Sequence, residues 1–184
     1  MSEAVRIIWQ EHASISRVLQ CLRAVMGNPE IIPDPALLTA ILDYMEGFAD
    51  TMHHPKEVHY LLPALVRRRP DLALLIQQVQ DEHDQLSRTL SDVRRRVAAY
   101  RADPAELDGL REDVEAYVEF QLTHMAREDR GLLPVALEAL SDEDWRAIDD
   151  AFARNDDPLF GAERQEKYDT LFQAIMAASP VPIV

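Results

Sequence analysis

The chain has 184 residues, room for one domain with a sizeable core, and its 47% hydrophobic and 28% charged residues are those of an ordinary folded protein. With 33 acidic against 19 basic residues the net charge is −14, which argues against nucleic acid and anionic membrane surfaces as partners. Cys21 is the one cysteine, so a disulfide framework and a thiolate metal cluster are both excluded and a reducing compartment fits.

The N-terminus "MSEAVRIIWQEH" has no basic region followed by a long apolar run. No stretch approaches the roughly 18 uninterrupted apolar residues of a membrane span, and the expectation is a cytoplasmic protein. Only five glycines, with many Ala, Leu, Glu, Asp and Arg, favour helix over sheet. "GNPEIIPDP", "RRRPD" and "ADP" are the natural turns, and they divide the chain into helical segments over 3–26, 35–67, 71–101 and 105–139. In the first, Val5, Ile8, Ile15, Val18, Leu19, Leu22 and Val25 recur at threes and fours, the period of one buried helix face. Among them Cys21 reads as a small core residue. Leu72, Leu75, Ile76, Val79, Leu86, Leu90, Val93 and Val97 repeat the pattern in the third segment. Short connections between long helices imply antiparallel neighbours, so the fold class is all-α, an up-down-up-down four-helix bundle.

Pro55, Pro63 and Pro134 fall inside helical runs, and each should kink or end its helix nearby. Beyond residue 140, Ser141 and Asp144 read as an N-cap opening a short helix through Arg154. "NDDPLFG" is a turn, 162–178 another helix with Phe172, Ile175 and Met176 on one face, and "SPVPIV" a frayed end. The expected division is a bundle over 1–140 that carries a dinuclear metal site, and a helical extension over 141–184 packed over one end of it.

The chain repeats itself at a distance of 71 residues. "EHASISRVL" from Glu11 returns as "EHDQLSRTL" from Glu82, and "HHPKEVHYLLP" from His53 returns as "HMAREDRGLLP" from His124. Counted from the turns, His12, His53, His83 and His124 fall within about four residues, or about 6 Å of helix rise, of one level. Glu57 and Glu128 each lie four residues after a histidine, on the same helix face. A single His-x-x-x-Glu in an acidic helical protein is weak evidence, since most such pairs are solvated. Two matched pairs and two matched lone histidines, both with an internal spacing of 41 residues (53 − 12 and 124 − 83), are a different matter. Buried imidazoles are costly unless bonded or ligated. Imidazole with carboxylate suits iron, manganese or zinc rather than calcium or magnesium. Two divalent ions, balanced by two carboxylates and one oxide or two hydroxides, favour a dinuclear site in which Glu57 and Glu128 bridge.

His54 is a candidate further ligand; its repeat counterpart is Met125, so ligation by His54 would make the two ions inequivalent. His59 falls about 200° round the helix from Glu57 and reads as outside the site. Glu11 and Glu82 are either hydrogen-bond partners of ligating imidazoles or solvated, and the second reading is preferred. Tyr117, two turns before His124 on its face, either places a phenol near the metals or is a half-buried bundle tyrosine, and the second reading is preferred.

His12, "HHPKE", His83 and "HMARE" together resemble the hemerythrin family, in its His-His-Glu cation-binding branch, over residues of about 5–140. The tail "SDEDWRAIDDAFARNDDPLFG" is similar to an extension that often follows that domain. The resemblance implies a four-helix bundle around a non-haem di-iron centre that binds or reacts with dioxygen, peroxide or nitric oxide. It makes His12, His53, Glu57, His83, His124 and Glu128 the ligands. Oxygen-carrying members have a further histidine one turn after the third-helix one, where this chain has Ser87. Fewer imidazoles leave more open coordination positions, which favours reaction over stable reversible carriage. The family's iron–sulfur repair branch often carries a cysteine-containing N-terminal segment that this sequence lacks, and no signalling domain is appended. The alternative function is iron storage or delivery, or iron-centre repair, without turnover. Either a monomer or a homodimer suits the sequence.

Overall fold

The computed structural model describes residues 2–153 and 162–180. Helices α1 (Glu3–Gly27), α2 (residues 35–68), α3 (Ala73–Ala102) and α4 (residues 107–139) form the bundle, followed by α5 (Asp142–Ala153) and α6 (Ala162–Ala178). No strand occurs among the described residues. Side-chain caps open several of these helices. Ser2 accepts from the Val5 N–H at α1, Asp34 accepts from Ala36 N–H beside Pro35 at α2, and Asp103 accepts from Ala105 N–H in the 3₁₀ turn Pro104–Glu106 before α4. Each bundle helix packs on the next, and α4 closes the ring against α1.

The three prolines neither end nor break their helices. The turn ahead of each widens to π geometry: the His54 N–H donates to the Ala49 carbonyl before Pro55, Leu62 to Glu57 before Pro63, and Leu133 to Glu128 before Pro134. A proline ring clashes with the carbonyl four residues back and supplies no N–H. Shifting the preceding bond to the fifth residue back leaves room for the ring and keeps the chain helical.

The core is divided in two. One apolar cluster runs from Ile15 through Val25 with Leu38, Met45, Leu90 and Val118; the other gathers Val5, Ile8, Leu61, Val79 and Leu132. A layer of buried polar side chains lies between them in the sequence of every bundle helix. Cys21 is fully buried in the first cluster, as its apolar neighbours predict.

Ser141 and Asp144 form a reciprocal cap: the Asp144 N–H meets Ser141 Oγ at 3.3 Å and the Ser141 N–H meets Asp144 Oδ2 at 3.0 Å. The extension expected over one end of the bundle lies along the α1–α2 side instead. Tyr168 and Ile175 of α6 enter the first cluster, where Phe172 and Met176 pack against it, and Ile148 and Phe152 of α5 enter the second. The expected turn "NDDPLFG" and the last four residues lie outside the described residues.

Candidate metal centre

Ten polar side chains form the buried layer: Glu11, His12, His53, His54, Glu57, Glu82, His83, Gln121, His124 and Glu128. All six residues expected from spacing meet there, and His54 joins them. Two groups of donor atoms converge, each within 4.8 Å: His12, His53, Glu57 and Glu128 in one, and His54, His83 and His124 in the other. The two carboxylates lie between these groups. Glu57 turns Oε1 to His53 Nε2 at 3.7 Å and Oε2 to His83 Nε2 at 3.5 Å. Glu128 turns Oε2 to His12 Nε2 at 3.4 Å and Oε1 to His124 and His83 at 3.4 and 3.5 Å.

These separations are too long for hydrogen bonds. Both oxygens of Glu57 and of Glu128, both nitrogens of His83, and Nε2 of His54 and His124 are buried without a hydrogen-bond partner. Each such atom costs ~1–3 kcal/mol if it stays unpaired. Orphaned lone pairs of imidazole and carboxylate that point at one another are the donor set of a transition-metal centre.

The outer ring nitrogens carry a second pattern. His53 Nδ1 donates to Glu11 at 2.9 Å, His124 Nδ1 to Glu82 at 3.0 Å, and His12 Nδ1 to Asp129 at 2.9 Å. His54 Nδ1 lies 3.5 Å from Asp50. A proton fixed on Nδ1 leaves the Nε2 lone pair facing inward, which is how carboxylates orient ligating histidines. His12 and His53 then present two Nε2 atoms to each other at 3.0 Å, a repulsive contact unless a cation or proton lies between them.

The preferred reading of Glu11 and Glu82 as solvated is corrected: each reaches across to the histidine of a neighbouring helix, and its other oxygen pairs with Lys56 or Arg127. The repeat held the signal, because Lys56 and Arg127 are also 71 residues apart, each just ahead of its glutamate. Asp129 and Asp50 carry no such signal. Tyr117, expected half-buried, is 1% exposed, and His59 is exposed as expected. His54, offered by the sequence as a candidate further ligand, stacks on His83 with centroids 4.1 Å apart.

Protonation in the ion-free protein follows from this crowding. Burial lowers the affinity of His12 for its proton, but the carboxylates of Asp129, Glu128 and Glu57 outweigh it and hold the pKa up at about 10. Burial pushes His53 down to about 4 against the pull of Glu11, and burial with the neighbouring imidazoles pushes His54 well below its ordinary value. Burial and the Glu128 charge drive Glu57 well above the carboxylate range. Burial opposes ionisation of Glu128 as well, but His124, His12 and His83 hold it well below.

Comparison with curated proteins finds no match. Residues 3–136 match the Hemerythrin HHE cation binding domain. The match covers all four helices that build the polar layer. This chain belongs to the hemerythrin HHE cation-binding domain family.

Proposed function

We propose that the centre holds two iron ions and that the protein handles a small oxidant or diatomic molecule: dioxygen, peroxide or nitric oxide. His12 and His53 would hold one ion and His54, His83 and His124 the other, with Glu57 and Glu128 shared between them. One observation carries this reading: each glutamate gives one oxygen to each histidine group. Manganese and zinc accept the same donors; iron adds the redox change that reaction with such small molecules uses. Two imidazoles on one side and three on the other make the ions inequivalent.

The chain's own groups do the remaining work. Glu11, Glu82 and Asp129 hold the imidazoles of His53, His124 and His12 in the tautomer that leaves Nε2 free. The two apolar clusters shut bulk water away from the layer, which strengthens every charge interaction inside it.

The test is metal content per chain after expression in iron-replete medium, with optical spectra before and after exposure to air. Two irons with near-ultraviolet bands that change on oxidation are expected; zinc, or a single spectroscopically silent metal, contradicts the reading. Glu57→Ala and Glu128→Ala should each lower the content from two ions to one or none. Two ions retained in both variants would refute the bridging role.

A further inference from the structure

Gln121 stands apart from the rest of the layer. It lies three residues before His124 on the same face of α4. It is 1% exposed, and neither its amide nitrogen nor its amide oxygen has a hydrogen-bond partner. None of the ligand assignments above uses it. A buried amide with both ends unpaired is the costly arrangement that an apolar residue of similar shape would avoid.

The repeat counterpart of Gln121, 71 residues earlier, is Asp50. Asp50 lies four residues before His54, and Ser87 four residues after His83. Because α3 runs antiparallel to α2 and α4, Asp50, Ser87 and Gln121 all stand on one side of the imidazoles, toward Tyr117. Asp50 Oδ1 lies 3.5 Å from His54 Nδ1. Asp50 and Ser87 also form part of the lining of a groove of about 600 Å³ between α2 and α3, together with Glu46, Thr51, Ser91 and Arg94. Solvent therefore reaches the two residues that flank the imidazoles on the side where the unpaired amide lies.

We propose that Gln121 is the hydrogen-bonding partner of a small ligand that reaches the centre past Asp50 and Ser87. Its amide selects a ligand able both to donate and to accept, hydrogen peroxide, over dioxygen and nitric oxide. The last two only accept: they would satisfy the amide N–H and leave the amide oxygen unpaired. Peroxide satisfies both. The proposal rests on the reading of the centre as an iron site.

The test is Gln121→Leu in the full chain, with Gln121→Met as a second, more pliable replacement should leucine disturb the packing. Iron content, Tm, the rate of hydrogen peroxide loss and the nitric oxide binding spectrum are measured together. The expected result is unchanged iron, Tm equal or higher, and a fall of about tenfold or more with peroxide that exceeds the loss of nitric oxide affinity several-fold. Peroxide and nitric oxide changing in parallel, or neither changing, overturns the proposal, as does a lowered Tm with equal loss of both. Iron missing from the unsubstituted protein overturns the reading of the centre and this proposal with it.

Discussion

Each imidazole in the layer has two nitrogens, and the fold gives them opposite tasks. The outer nitrogens of His12, His53 and His124 are fixed by carboxylates at 2.9–3.0 Å, so the inner ones face the centre. The consequence is measurable as protons. His12 stays protonated well past neutrality in the ion-free protein because three carboxylates outweigh its burial, with a pKa of about 10. Ligation requires the neutral ring. Metal uptake at pH 7.5 is therefore expected to release about one proton or more per chain, and acid to expel the ion. Calorimetry in buffers of different ionisation enthalpy reads this directly; a binding heat that does not depend on the buffer would contradict it.

At the scale of the element, both buried glutamates of the layer that follow a histidine by four residues begin a π-helical stretch, Glu57–Leu61 in α2 and Glu128–Leu132 in α4. Each stretch is closed by a proline two residues beyond its end, Pro63 or Pro134. The extra residue in the wide turn sets the rotation between the ligand-bearing half of the helix and the apolar half after it. Pro63→Ala with Pro134→Ala restores an N–H and removes the ring clash, so the turn is free to tighten to α geometry. Tightening by one residue rotates one half against the other by about 100°. The expected outcome is a higher Tm for the ion-free protein and weaker metal binding, read by thermal melting and by competition with a chelator. Metal affinity unchanged in the double variant would show that packing, not the prolines, holds the register.

At the scale of the whole molecule, a charged layer that separates two apolar clusters makes stability depend on what fills it. An ion that binds the native state alone stabilises by ~4 kcal/mol when its concentration is a thousandfold above Kd. The extension is in contact with the groups that back this layer. Phe152 lies under Lys56, which pairs with Glu11, which fixes His53. Tyr168 packs against α2 at Gly47, where a Cβ would overlap its ring and hydroxyl. Gly47→Ala is expected to cost ~1–3 kcal/mol by overpacking, seen as a lower midpoint in denaturant. A midpoint unchanged from the parent would mean that α6 contributes nothing to the fold's stability.

The 71-residue repeat and the threes and fours of apolar residues were enough to place four helices, their turns within a few residues, and the six candidate ligands at one level. Local rules decide those things: helix period, capping residues, and the pairing of i with i+4. Side chains that act between helices were not legible in the same way. Glu11 serves His53 rather than its neighbour His12, Asp129 serves His12 from the far end of the chain, and His54 fills the space beside His83 that Ser87 leaves. Gln121 gave no sequence signal at all. Which nitrogen faces inward, which carboxylate backs it and which amide stays unpaired depend on how four helices rotate against one another. Packing of the two apolar clusters sets that rotation, and no single helix contains the information.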